Sequence, residues 1–318
     1  EQIIRLYTDA ALWERLSIAG LKYVGDTYSL DAGLRRVDAF MREVESGMPA
    51  FPAAVVRDVE EYERYHETVA GRFQERLAYE ETLLPPGEVD FDIPGWCAVC
   101  RRPSRFHVGY LYSCETRADG RPMPNWREHL ACAQCGFNNR IRASLHAFQS
   151  RLTPAVDADI YITEQTTPLY LWMRAHYPGT RGSEYFGDKV AFGKEFDGLR
   201  NENIMATTWA DRSFDCVLSF DVLEHVPDPL AAFRECRRIL RPGGTLLWSA
   251  PFVFGEGWRL MDRNVIRAQH DAAGNLIHLM APEYHGNPVD PEGGALRYQY
   301  FSLEALALLR EAGFVDVV

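Results

Sequence analysis

No apolar run in this chain approaches the ~20 residues that a membrane-crossing helix needs, so a helical membrane protein is excluded as an expectation. The opening residues, EQIIRLYTDAALWERL, lack the basic-then-apolar order of a secretory signal. Basic charge is also short: 34 Lys and Arg face 45 Asp and Glu, a formal net charge of -11. Non-specific nucleic-acid binding needs a basic face, so nucleic acid is an unlikely partner. Cysteine is sparse, with seven residues. Without an export signal they fit a reducing, cytoplasmic setting, where paired CxxC motifs point to metal rather than disulfides.

Four of the seven form two such pairs, Cys97-x2-Cys100 and Cys132-x2-Cys135. Each CxxC is a tight knuckle that aims two thiolates at one point, and two knuckles complete a tetrahedral sulfur site for Zn2+. Four thiolates leave no open position, so the metal is structural. The stretch between them holds a strand-like Phe106–Tyr112 and a turn rich in Gly and Pro, which reads as a zinc ribbon. Cys114, His107 and His129 are the other ligand types nearby; a redox CxxC or unligated thiols are the competing readings. Directly after the ribbon, Asn138-Asn139-Arg140-Ile141-Arg142 gathers amides and guanidinium groups. They either reach toward an anion or bridge the ribbon to the next domain.

With 318 residues, about two domains are expected at roughly 150 residues each. The patterning suggests three regions: 1–88 helical, 89–150 the ribbon, and 151–318 an α/β domain. The first has apolar residues at helical spacing in three segments: Leu12, Leu16, Leu21 and Val24; Leu34, Val37, Phe40 and Met41; Val55, Val59, Tyr62 and Tyr65. These are a small bundle, a lid or a homodimer surface. The acidic run Asp58–Glu63 is expected to be a solvated helix face.

The α/β domain reads as strand Ile160–Ile162, loop Thr163-Glu164-Gln165-Thr166-Thr167, helix from Pro168 to His176, and a second strand ending near Ser183-Glu184-Tyr185. Leu199–Ile204 is expected as a third strand. The most organised stretch is Phe214–Phe252, FDCVLSFDVLEHVPDPLAAFRECRRILRPGGTLLWSAPF. An apolar strand closes at Phe220-Asp221, and a polar turn carries Glu224-His225. A helix then runs from Leu230 to Leu240, Pro242-Gly243-Gly244 breaks the chain, and Thr245–Ala250 is a second strand. Right-handed crossover places both strands in a parallel sheet, whose ligands bind beyond the strands' carboxyl ends.

FDxVxSxDVLEHVPDP followed by a helix and LRPGG resembles the central segment of class I S-adenosylmethionine-dependent methyltransferases of the type 11 kind. The resemblance covers roughly residues 156–318. It implies a Rossmann-like doubly wound sheet and transfer of a methyl group from S-adenosylmethionine to a small-molecule acceptor, on oxygen or nitrogen rather than carbon. It further implies cofactor contacts from the loop 163–167, from Glu184 and Tyr185 after the second strand, from Glu202 and Asn203 at the adenine, and from Phe220 and Asp221. His225 is the foremost candidate base, because imidazole titrates near neutrality. His285, in Glu283-Tyr284-His285, is the second. One departure stands out: the family's GxGxG-type loop is here Thr163–Thr167, without glycine, and Tyr161 replaces the acid that often precedes it. Two other readings arise from that departure, a methyltransferase-like scaffold without turnover and a cofactor-dependent enzyme of non-methyl chemistry.

Overall fold

Phe214–Phe220 is the middle of the molecule, and its faces explain the layers around it. In the computed structural model, which describes residues 54–87, 89–113, 116–117, 119–255 and 259–318, this strand (β6) lies in a four-stranded parallel sheet. Its neighbours are Ile160–Ile162 (β4) and Leu240–Ser249 (β7), with Thr180–Gly182 (β5) beyond β4, giving the order β5-β4-β6-β7. Side chains alternate across a strand. Tyr161 and Val217 point into one layer with Phe233, Cys236 and Ile239 of the helix Pro229–Ile239 (α4) and with Ala305 and Leu309 of the helix Glu304–Glu311 (α5). Ile160, Ile162, Cys216, Leu218 and Phe220 point into the other. There they meet Leu145 of the helix Asn139–Ala147 (α2) and Leu169 and Met173 of the helix Pro168–His176 (α3). The fold is therefore a Rossmann-like, doubly wound α/β sheet. Fully burying a residue such as Phe233 or Leu218 stabilises it by about 2–3 kcal/mol.

Phe214 breaks the alternation, since it shares the layer of Val217 rather than that of Cys216. The pairing shifts between Phe214 and Cys216: Phe214 faces Leu240 while Cys216 faces Thr245. The Arg241–Gly244 turn fills the gap, with Gly243 at φ +80°, a left-handed conformation that costs glycine little.

Local signals account for the helix starts. Pro229 and Pro168 occupy first turns, where a missing N–H costs nothing. Asp228 Oδ1 accepts from Ala231 N at 3.0 Å, and Thr167 Oγ1 accepts from Tyr170 N at 3.2 Å. The expected third strand is shorter than Leu199–Ile204. Leu199–Arg200 pairs back on Glu195–Phe196, and a single parallel bridge, Glu184 to Asn201, continues the sheet. The buried Asn201 side chain binds Phe186 N and Gly187 O and turns the chain away.

The cysteine region folds as an antiparallel three-stranded sheet of Phe91–Cys97 (β1), Arg102–Val108 (β2) and Leu130–Cys132 (β3). Strand β2 begins and ends earlier than the expected Phe106–Tyr112. Among the described residues between Phe252 and Phe301 the chain makes three two-stranded ribbons, of which Tyr284–His285 with Ala295–Leu296 bears on the site. The residues after α5 bend without forming a strand.

Of the helical region, the described part is the helix Val59–Thr82 (α1), capped by Asp58, with Val55 outside it. Its acidic face is not wholly solvated: Glu63 pairs with Arg259, Nε to Oε1 at 2.7 Å, and Tyr62 Oη accepts from Leu260 N at 2.7 Å. The two earlier helical segments, and with them the homodimer surface, lie outside the described residues, as does Cys114. No helix among the described residues is long and apolar enough to cross a membrane.

Candidate active site

Two polar clusters form where the parallel strands end. The first joins β4 and β5. Glu184 turns its carboxylate onto the loop 163–167, and one oxygen, Oε1, accepts from Gln165 N at 2.6 Å, Thr166 N at 2.8 Å and Thr166 Oγ1 at 2.9 Å. A glycine-free loop is thus held by an acid from the neighbouring strand. Gly182 makes the closeness possible, since a Cβ there would lie 2.5 Å from Glu164 O and 2.7 Å from the Tyr170 ring. Thr163 Oγ1 donates to Ser219 Oγ at 3.1 Å, and Tyr161, wholly buried, shares a 2.7 Å hydrogen bond with Ser183. Burial pushes the Glu164 carboxyl up to about 7, against the pull of its Thr167 hydrogen bond and the Arg140 charge.

Other residues expected at the cofactor have local partners. Glu202 is buried and accepts from Thr208 N at 2.8 Å, from Thr208 Oγ1 at 2.6 Å and from Arg200 Nε at 2.8 Å. Asn203 Oδ1 accepts from Met205 N at 3.0 Å, closing a turn. Tyr185 is exposed and stacks on Phe192, and Phe220 is buried in the α2–α3 layer. Glu184, Tyr185, Glu202 and Asn203 lie together at the β5 side, joined by the bridge to Asn201 and by Glu202 N donating to Glu184 O.

The second cluster follows β6. Asp221 sits at φ +53°, rare for a residue with a side chain. Ser249 Oγ donates to its Oδ1 at 2.8 Å and its N–H reaches Ser249 O at 2.9 Å. A short turn, Leu223–His225, comes next. His225 Nδ1 lies 2.9 Å from Leu296 O and, facing a carbonyl, carries the proton; Tyr298 N donates to Glu224 O at 2.8 Å. These two bonds bring the Tyr284–His285 ribbon over the turn, so the His225 and His285 rings meet edge to face at 4.9 Å. His285 Nε2 is 3.2 Å from Glu283 Oε1. Glu283 also accepts from Arg297 Nη1 at 2.5 Å and Tyr300 Oη at 2.9 Å. Sequence reasoning did not single out Glu283; its place two residues before His285 was the available signal.

Electrostatics separate these groups. Burial holds His225 neutral, its pKa lowered to about 4 despite the Leu296 carbonyl. Burial pushes the Glu224 carboxyl up to about 8, and the Asp221 charge adds to the push. Neither Glu224 oxygen has a hydrogen-bond partner, and the neutral His225 ring has its Nε2 3.8 Å from Oε1. The ligand atoms of Glu224, His225 and His285 all lie within 4.8 Å of one another.

The four cysteines converge in the same way, all within 4.8 Å. Cys97 Sγ is 3.9 Å from Cys135 Sγ, and Cys100 Sγ is 3.9 Å from Cys132 Sγ. Tetrahedral zinc with bonds of about 2.3 Å requires sulfurs about 3.8 Å apart, so the spacing fits. Cys100 N, Gln134 N and Ser104 Oγ point at the sulfurs of Cys97, Cys132 and Cys132. His107 faces Asp92 and Asp90 instead. An open depression of about 520 Å3 lies elsewhere, at the amino ends of the strands beside Asp159 and Asp215, remote from both clusters.

Residues 183–248 match the methyltransferase domain family. The chain is 60% identical over 37 residues to a ubiquinone biosynthesis O-methyltransferase of Xanthomonas campestris, a stretch that is 12% of this chain and 16% of that protein. It is 46% identical over 50 residues to the protein of the same description from Cereibacter sphaeroides, 16% of this chain and 20% of that one. The chain thus spans no more than a fifth of these curated relatives' length. Among solved structures, it is similar to an S-adenosylmethionine-dependent methyltransferase from Mesorhizobium loti, at 16% identity and a TM-score of 0.32, covering 55% of this chain and 83% of that one. It is similar also to a phosphoethanolamine N-methyltransferase 2 from Haemonchus contortus, at 16% identity and a TM-score of 0.33, covering 57% and 38% of the two chains.

Proposed function

We propose that this chain is an S-adenosylmethionine-dependent methyltransferase acting on oxygen or nitrogen of a small molecule, with a structural Zn2+ on Cys97, Cys100, Cys132 and Cys135. The observation that carries the reading is the meeting of His225 and His285 beyond β6, beside the cofactor-type cluster around Glu184. Glu184 uses only Oε1 on the loop, which leaves Oε2 for the ribose hydroxyls. Thr163 and Asp221 follow the carboxyl ends of the paired strands β4 and β6, and Glu202 and Asn203 stand at the adenine side.

The bound cofactor supplies an electrophilic methyl group, and orientation and exclusion of water are the larger part of such a displacement. The acceptor's proton goes to His285. Its Nε2–H faces Glu283, so Nδ1, which rests 3.5 Å from Arg297 Nη2, is the atom that receives the proton as that contact gives way, and Glu283 stabilises the imidazolium that forms. His225, held neutral with its pKa near 4, is too weak a base at neutral pH; it packs against the His285 ring and fixes its orientation. The name carried by the curated relatives favours an oxygen acceptor. None of the six described cysteines is in a disulfide, in keeping with a reducing, cytoplasmic setting.

A second reading rests on the loop 163–167: without glycine, and tied by Glu184, it suits a cofactor-binding scaffold without turnover. Calorimetric titration of zinc-loaded protein with S-adenosylmethionine and S-adenosylhomocysteine tests the first reading, with binding of both expected. Absence of binding overturns it. Binding without methyl transfer to any of a panel of phenols and amines favours the second.

A further inference from the structure

The ribbon sends two guanidinium groups into the site. Arg127 Nη2 donates to both oxygens of Asp221, at 2.9 and 2.7 Å, and Arg140 Nε lies 3.3 Å from Oδ2. Glu128 locks the pair together, accepting from Arg127 Nη1 at 2.5 Å, Arg140 Nε at 2.8 Å and Asn138 Nδ2 at 2.6 Å. Arg140 N also donates to Arg127 O at 3.1 Å. Arg140 has a second target: its charge acts on Glu164 in the loop 163–167. The ribbon's arginines therefore hold the loop after β6, and the Arg140 charge is felt at Glu164 in the loop after β4.

This arrangement depends on the cysteine knuckle. Cys135 is followed by Gly136 at φ +73°, Gly136 N bonds Cys132 O at 2.8 Å, and Cys132 N bonds Phe137 O at 3.0 Å. The α2 cap, Asn138, comes next, so the knuckle sets the position of Arg140 within five residues. From the same helix the buried Arg142 lies 4.4 Å over the Phe106 ring and donates to Leu130 O at 2.9 Å, fastening α2 to β2 and β3. Asp221 in turn holds a left-handed backbone conformation, φ +53°, which Asp tolerates better than most residues, and the turn bearing Glu224 and His225 starts from it.

We infer that Arg127 and Arg140 are positioning residues that hold Asp221 and the turn after it in place, and that the four-thiolate centre controls the active site through them. The consequence for catalysis rests on the function proposed above; the positional claim does not. Zinc loss frees the knuckle, the arginines withdraw, and the Asp221–Val226 turn opens while the parallel sheet persists.

The test uses full-length, zinc-loaded protein, its Arg127→Gln and Arg127→Gln/Arg140→Gln variants, and wild type stripped of zinc by a chelator. Three quantities are read: zinc per chain, hydrogen exchange of the amides of 221–226 and of β6, and affinity for S-adenosylhomocysteine. Loss of charge-assisted hydrogen bonds of this kind corresponds to about tenfold or more in an equilibrium constant. The variants are expected to keep one zinc yet exchange 221–226 faster by about that factor and bind the cofactor product correspondingly less well. Stripped wild type should show the same changes with β6 still protected. Unchanged exchange at 221–226 in zinc-loaded Arg127→Gln, the variant with the more exposed side chain, overturns the inference. If wild type binds no cofactor product, the exchange data still decide the positional claim, and the failure belongs to the proposed function alone.

Discussion

His225 and His285 meet edge to face at 4.9 Å, and each has one ring nitrogen fixed from behind, His225 by the Leu296 carbonyl and His285 by Glu283. The pair divides by environment into a buried neutral ring and one backed by a carboxylate. Replacing His285 by Ala should lower turnover by about 10²–10⁴-fold, the usual range for a general base, with S-adenosylhomocysteine affinity unchanged. Glu283→Gln should give a smaller loss and move the acidic limb of the pH–rate profile. Undiminished turnover in His285→Ala would remove the base assignment while leaving methyl transfer intact.

Glu224 gives stability a definite pH dependence. Its folded pKa, near 8, is above the usual value of about 4.3. The folded state therefore binds more protons between those limits, and stability falls as pH rises through them. His225, lowered to about 4 from about 6.5, acts oppositely: stability rises with pH between those values. The two oppose below pH 6.5, and Glu164, raised to about 7, adds its own decline up to there, so the window left to Glu224 is pH 7 to 8, where the wild type should lose stability. Glu224→Gln should flatten that decline in urea unfolding at pH 7 and 8; an unchanged slope would show that Glu224 is not the group responsible.

Substituting Co2+ for Zn2+ should produce intense visible bands of a tetrahedral thiolate complex, with one metal per chain. Cys132→Ser should reduce both intensity and retention. A weak, pale spectrum typical of octahedral oxygen ligation would rule out the four-sulfur site.

Gly182→Ala tests the glycine-free loop. The added methyl meets Glu164 O and Tyr170 at under 3 Å, and overpacking of this sort costs about 1–3 kcal/mol. Thermal unfolding should fall by several degrees and cofactor affinity should weaken, because the loop must move off β5. Glu184→Gln should weaken affinity without the same stability loss.

The parallel core was legible because it is written in short-range patterns: the short apolar runs of β4 and β6, Pro at the first turns of α3 and α4, and Pro242-Gly243-Gly244 after α4. The four cysteines were legible from spacing alone. The third strand misled: Leu199–Ile204 was expected as one strand, and the Asn201 side chain diverts the backbone within it. What the sequence could not display is the set of contacts between distant segments: Glu283 behind His285, Arg127 on Asp221, and Glu184 taking the loop amides that glycines were expected to serve. These depend on where the ribbon and the 252–301 excursion come to rest, and hydrophobic periodicity carries no information on that.

The shifted pairing between Phe214 and Cys216 has an evolutionary consequence. Since the Arg241–Gly244 turn absorbs the offset between β6 and β7, insertions or deletions at this rim can be taken up locally. Cys216 through Phe220 would keep their partners, and Ser249 would stay opposite Asp221. The amino-terminal rim of the sheet is free to drift in length while the chemistry at its far end keeps its alignment.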